Sequence, residues 1–163
     1  MNLKKTILNL VILTTIFIVD RISKIYVIRI FELENKTDIY LTEYLNFYLI
    51  WNKGIAFGLF SFNESFIYNS ITGIIIIISI IILIMIYKND GFKKISLIFV
   101  LGGALGNLFD RIYYSAVPDF IDLHFNDFHW FVFNVADIFI TLGIICLIFD
   151  EIFVNNKKNE KFI

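Results

Sequence analysis

The sequence is poor in three features that would indicate a disulfide-rich, disordered or nucleic-acid-binding protein. A single cysteine, Cys146, excludes a disulfide within the chain, and its place in an apolar run is typical of a small buried hydrophobe. A single proline, Pro118, argues against a disordered linker. The net charge of −1 provides no basic surface for nucleic acid.

What the chain does have is apolar residues. Of its 163 residues, 58% are hydrophobic and nineteen are phenylalanine, well above the apolar share of soluble domains. The length suits one domain of ordinary size. We therefore expect one integral-membrane domain over residues 1–163, mainly α-helical.

Four segments are apolar enough for transmembrane helices, each of which needs about 20 such residues. We predict spans at about residues 7–28, 66–87, 95–112 and 130–149. The first resembles a secretory signal, but no small-residue cleavage site follows it. We expect this helix to be retained.

The lysines predict the orientation, because positive residues concentrate in cytoplasmic loops. They fall before span one, between spans two and three, and after span four: Lys4, Lys5, Lys88, Lys93, Lys94, Lys157, Lys158 and Lys161. We expect both termini in the cytoplasm and the loops at about 29–65 and 113–130 on the outer side of the membrane.

The first outer loop predicts β-structure. Residues 40–51 are rich in aromatic and β-branched side chains with partial alternation, which indicates a strand. Gly54 and Gly58 predict a bend or a close backbone approach. We expect a small antiparallel sheet on the outer membrane face within residues 29–65, with Trp51, Phe57 and Phe60 at headgroup depth.

Polar residues interrupt the outer ends of the predicted helices. Asp20 and Lys24 stand four positions apart and can form an ion pair. In the third span Gly103, Gly106, Asn107 and Asp110 share one helix face, with Arg111 beside them. Helix packing explains the glycines, and a salt bridge at the membrane interface is an alternative role for Asp20 and Lys24.

Asp137 is the hardest residue to explain by packing alone, because it opens the apolar run of residues 138–149. Asn134 shares its helix face, and Asp119 precedes it by eighteen positions. Two neighbouring carboxyls can share one proton, since like charges a few ångströms apart do not both ionise easily. Aspartic proteases use that arrangement to activate water.

Two other interpretations stay open at this point. Five residues form a set that resembles metal ligands: Asp119, Asp122, His124, Asp127 and His129. Their alternation with phenylalanine fits a strand near the membrane surface, and solvated surface residues explain them better than a metal site does. Intramembrane acids also occur in proton-coupled transporters. Acids at one membrane face only, without an inverted repeat, disfavour a transport path.

Five motifs, in order along the chain, together resemble the bacterial lipoprotein signal peptidases, the type II signal peptidase family of membrane aspartic proteases. They are "DRISK" with Asp20 and Lys24, "NKGIAFG" with Asn52, Gly54, Ala56 and Phe57, "GGALGNLFDR", "VPDF" and "FNVAD". The resemblance implies an endopeptidase that removes the signal peptide of a diacylglyceryl-modified prolipoprotein, just before the lipidated cysteine.

The resemblance also assigns roles. It implies catalysis by Asp119 and Asp137, and substrate binding or support by Asp20, Lys24, Asn52, Gly54, Gly106, Asn107, Asp110, Arg111 and Asn134. It implies a location in the bacterial inner (cytoplasmic) membrane, with an outer-face sheet that clamps the substrate beside membrane lipid. It also implies no metal or organic cofactor, a monomeric enzyme, and inhibition by globomycin-type cyclic peptides.

Overall fold

The structure is a computed structural model that describes residues 3–34, 38–54, 64–126 and 128–155. Four α-helices and four strands follow one another along the chain: α1 (Leu3–Glu34), β1 (Asp38–Thr42), β2 (Leu45–Asn52), α2 (Glu64–Lys88), α3 (Gly91–Tyr114), β3 (Val117–Phe125), β4 (Phe128–Phe133) and α4 (Val135–Phe149). A π-helical segment, Asp150–Asn155, extends α4.

The four strands form one antiparallel sheet in the order β1-β2-β3-β4. The predicted strand at residues 40–51 is in fact a hairpin, because the chain turns at Glu43 and Tyr44. The Tyr44 backbone N–H donates to Thr42 Oγ1 over 3.2 Å and stabilises that turn.

Two predicted boundaries are wrong. The fourth helix does not begin at residue 130, because the aromatic run Phe128–Phe133 pairs with β3 and the helix starts only after Asn134. The sheet is not confined to residues 29–65 either. Helix α1 continues to Glu34, and half of the strands come from residues 117–133.

Among the described residues, two helices are long and apolar enough to cross a membrane, Phe66–Lys88 and Gly91–Tyr114. Helix α1 carries Asp20 and its charged neighbours, and α4 has 15 residues, about 22 Å of helix. The prediction of four spanning helices therefore has support from length and composition for two of them.

Helix α2 leaves most of its apolar surface uncovered by the rest of the described chain. Ile74, Ile77 and Leu83 are exposed by 56, 59 and 57%. A continuous apolar surface of this kind is unfavourable in water and favourable in lipid. The exposure of α2 is consistent with a membrane environment.

Helix α3 is the centre of the helical bundle, and its glycines permit the contacts. A Cβ added to Gly106 would lie 2.6 Å from Asp20 Oδ2 on α1 and 3.4 Å from Ala136 Cβ on α4. A Cβ on Gly103 would lie 2.8 Å from Ile140 Cγ1. Small residues thus bring α1 and α4 against α3 at the end of the bundle next to the sheet.

Candidate active site

Charged side chains of α1 and α3 meet at the sheet end of the bundle. Lys24 Nζ lies 3.0 Å from the Asp20 carboxylate and 2.6 Å from Asp110 Oδ2. Arg21 Nη2 donates to Asp20 Oδ2 over 2.8 Å and to Asp110 Oδ2 over 2.7 Å, and Nη1 contacts the other Asp110 oxygen. The predicted Asp20–Lys24 pair is confirmed as part of a four-residue network.

The network is buried, so its charges must be matched. Asp20 and Asp110 are inaccessible to solvent, and Lys24 is 1% exposed. Two carboxylates facing two cations balance to zero, which offsets part of the cost of removing four ions from water. Asp20 Oδ1 also accepts the Ala136 backbone N–H over 3.0 Å and so ties the network to the start of α4.

Asp137 is held by the helix that it begins. Asn134 caps α4: its side-chain oxygen accepts the Asp137 N–H over 3.2 Å, and its own N–H donates to Asp137 Oδ2 over 3.1 Å. Asn107 Nδ2 donates to the other Asp137 oxygen over 2.8 Å. A carboxylate in the first turn of a helix is further stabilised by the helix dipole.

Asp119 lies on β3 and is bonded by two amides. Asn52 Nδ2 on β2 donates to Oδ2 over 2.9 Å, and Asn134 Nδ2 donates to Oδ1 over 2.6 Å. Burial raises the pKa of Asp119 from 3.8 to about 6. The two amides act against this increase, and the nearby Asp137 contributes to it. This carboxyl takes up a proton more readily than an exposed aspartate does.

Asn134 therefore contacts both acids that the sequence singled out. Its amide nitrogen bonds Asp119, and its side-chain oxygen and backbone N–H bond Asp137. Asn107 extends this contact to the charged network, because Lys24 Nζ donates to its Oδ1 over 2.9 Å. A strand and three helices thus meet around two carboxyls, an arrangement that can hold and transfer a proton.

The remaining predicted site residues lie around this centre. Gly106 makes room for Asp20 as described above. The chain bends at Gly54, whose N–H donates to Asn52 Oδ1 over 3.0 Å, but an added Cβ there would meet nothing within 4 Å. Arg111 Nη2 donates to the Gly54 carbonyl over 3.3 Å.

Arg21 is the network residue that the predicted site set did not include. It bridges Asp20 and Asp110, and its guanidinium carbon lies 4.9 Å from the centre of the Phe109 ring. An arginine next to Asp20 inside a predicted span was the available signal. Ala56, Phe57, Gly58 and Phe60 lie outside the described residues.

The interpretation of Asp122 as a solvated surface residue is wrong. Asp122 is 4% exposed, because strands β2 and β4 flank it on both sides. Its Oδ2 lies 2.9 Å from His129 Nδ1. Asp127, to which the same role was given, lies outside the described residues.

Comparison with known proteins decides the family. The sequence model of the family described as signal peptidase (SPase) II matches residues 12–153. The chain belongs to the signal peptidase II family. A lipoprotein signal peptidase from Pelagibacter ubique is 60% identical over 161 residues, covering 98% of this chain and 97% of the relative. One from Anaplasma phagocytophilum is 39% identical, covering 96 and 99%.

Solved structures agree with this assignment to the signal peptidase II family. A bacterial membrane enzyme solved by the in meso method superposes with a TM-score of 0.69 at 26% identity, covering 93% of this chain and 90% of that one. A second gives 0.67 at 27% identity, covering 89 and 92%. The predicted family, its peptidase activity and its membrane location are confirmed.

Proposed function

We propose that Asp119 and Asp137 are the catalytic pair with which this peptidase removes signal peptides from prolipoproteins. The observation that carries the proposal is that one residue, Asn134, hydrogen-bonds both carboxyls, Asp119 through its side-chain amide and Asp137 through its backbone N–H. Such a pair carries about one charge when it shares a proton, which suits a site at membrane depth.

The two carboxyls have complementary tasks in hydrolysis. The ionised one takes a proton from water, whose oxygen attacks the scissile carbonyl carbon. The protonated one donates to the carbonyl oxygen, giving a tetrahedral diol. The carboxyl that took the water proton then passes it to the amide nitrogen as the C–N bond breaks, and the other carboxylate takes a proton from a diol hydroxyl. A new carboxyl and a new amine are released, and the pair again holds one proton.

The surrounding residues position this pair. Asn52 and Asn134 orient Asp119, and Asn107 orients Asp137. Lys24 accounts for the direction in which the Asn107 amide points, since its ammonium can only bond the oxygen end. These groups are supported in turn by residues of α1, of α3 and of the segment after β2: Asp20, Gly106, Asp110, Arg111 and Gly54.

The proposed substrate is a prolipoprotein with a diacylglyceryl-modified cysteine, and the enzyme cuts the chain just before that cysteine. The sheet carries Asp119 and lies at the end of the bundle, where it clamps the peptide beside the lipid. The resemblance of the five sequence motifs to this family also supports a monomeric enzyme and inhibition by globomycin-type cyclic peptides.

The proposed topology is multi-pass, with four spanning helices in one domain and the active site toward the outer face. It rests on the positions of the lysines, of which Lys93 lies at the start of α3, away from the sheet. Lys93 and Glu151 lie 3.7 Å apart at the end opposite the sheet. A cysteine at Asn126 should be labelled from outside by an impermeant reagent. Labelling of Asn89→Cys instead would reverse the topology.

The decisive experiment is a gel shift of a diacylated prolipoprotein on adding the purified enzyme. We expect the faster product with the native chain and with Asp90→Asn, a matched control whose carboxylate is 97% exposed at the far end of α3. Asp119→Asn and Asp137→Asn should give no product. Cleavage by either variant at the native rate would contradict the assignment.

A further inference from the structure

The chain has two histidines, and both lie next to Asp122 on the sheet. Ligand atoms of Asp122, His124 and His129 all lie within 4.8 Å of one another. Asp122 Oδ2 is 2.9 Å from His129 Nδ1 and 3.9 Å from His124 Nδ1. None of the hydrogen bonds of Asp119 goes to this histidine–aspartate cluster, so it is separate from the proposed catalytic pair.

A β-bulge brings the cluster together. Asp122 pairs with Val132 and His124 pairs with His129, so β3 has one residue between the two positions and β4 has two. The extra residue in β4 shifts its register by one. Without the bulge, Trp130 would face His124, and His129 would point to the other side of the sheet.

The cluster contains buried acceptor atoms that lack donors. Asp122 is 4% exposed, and its Oδ1 has no hydrogen-bond partner in the part of the chain that the structure describes. The same holds for His124 Nδ1, in a side chain that is 10% exposed. Asn46, opposite Asp122 on β2, also has an unpartnered oxygen. Unsatisfied buried acceptors are unfavourable unless a cation or a donor fills the space between them.

We propose that Asp122, His124 and His129 bind a divalent cation of the zinc class. Two imidazoles and one carboxylate are ligands that zinc takes in proteins, and a fourth position remains for water or the Asn46 oxygen. Strand residues hold all three side chains, while His129, 56% exposed on its side-chain surface, leaves an entry path from the solvent. The cation joins β3 to β4 and stabilises the sheet that carries Asp119.

The chain's two histidines make a direct test possible. The test uses the detergent-solubilised full chain, purified without a polyhistidine tag. Its imidazole nitrogen NMR spectrum should show the signals of two histidine rings. On adding zinc chloride, both rings should shift together, saturate at one equivalent and report a metal on Nδ1. A shift of one ring only, or a gradual shift without saturation, contradicts the proposal.

Variants separate this site from other zinc-binding groups. Asp122→Asn and His129→Ala should each weaken zinc affinity by more than about 100-fold, since both remove a direct ligand. Asp119→Asn and Cys146→Ser should bind zinc as the native chain does. If Asp122→Asn does not fold, His129→Ala decides, because that side chain is half exposed. Native affinity in His129→Ala, or loss of binding in Cys146→Ser, would overturn the assignment.

Discussion

The site contains two pairs of aspartates, and they differ in what faces them. Asp20 and Asp110 are bonded by Arg21 and Lys24, two cations for two carboxylates. Each carboxylate of this pair is therefore matched by a cation. A pair of this kind joins α1 to α3.

Asp119 and Asp137 instead receive their hydrogen bonds from amides. Asn52, Asn107 and Asn134 supply them, and no described cation makes a hydrogen bond to either carboxyl. Amides orient a carboxyl without adding charge, so a proton can still reside on the pair. The comparison shows why four acids at one end of a helical bundle divide into a structural pair and a proposed catalytic pair.

The largest expected effect is on turnover. Asp119→Asn and Asp137→Asn should each lower kcat by roughly 10⁴-fold or more while substrate still binds, and the double variant should be no worse. Single-turnover cleavage of a diacylated prolipoprotein measures this. Activity of the native enzyme should fall at both pH extremes, reporting the pair as a unit. Additive losses in the double variant would mean that the two acids act separately.

Next in size is the loss of a charge from the structural pair. Asp20→Ala leaves Arg21 and Lys24 facing one carboxylate and removes the acceptor of the Ala136 N–H. We expect a loss of about 3–5 kcal/mol in the free energy of unfolding. Thermal unfolding in detergent measures it, with Asp90→Asn as the unaffected control. A well-folded Asp20→Ala that binds substrate but does not turn over would show a chemical role instead.

The proton affinity of Asp119 predicts a pH effect on stability. Its pKa is about 6 in the folded chain against 3.8 as an ordinary aspartate, so the folded state binds more protons between these values. Stability should fall as pH rises from about 4 to about 6, by about 3 kcal/mol from this group. Asp119→Asn should lack this contribution. Identical pH profiles of unfolding for the native chain and the variant would contradict it.

The smallest effect tests the link between the two pairs. Asn107→Ala removes the donor to Asp137 and the acceptor of Lys24. We expect kcat to fall by about 10- to 100-fold with little change in KM, because the carboxyl is less well oriented. Kinetics with the same substrate measure this split. Asn89→Ala is the amide control, since among the described residues its side chain bonds a backbone carbonyl alone, that of Met85, at the far end of the bundle.

Much of this arrangement could be predicted from local patterns. The Asp20–Lys24 pair follows from helical spacing, and the interface role of the α3 glycines follows from their small size. The polar residues at the predicted outer ends of the helices lie together in the structure. The family motifs distinguished Asp119 and Asp137 from Asp110 as the expected catalytic residues. Spacing could not do so, because it does not show which side chains bond each acid.

The parts that were wrong depend on contacts distant in sequence. Residues 128–133 are apolar enough to continue a helix, but β3 offers them a strand partner and Asn134 starts the helix later. Asp122 resembles a surface acid until two neighbouring strands cover it. Neither partner can be recognised from the local sequence, since tertiary contacts override local preference.

The bond from Asn134 to Asp119 has a consequence for biosynthesis. A ribosome makes the chain from its N-terminus, so Asp119 exists for some time before Asn134 and Asp137 do. Only after α4 has joined the bundle do both carboxyls receive their partners. A nascent or truncated chain that ends before residue 134 therefore lacks the proposed catalytic pair.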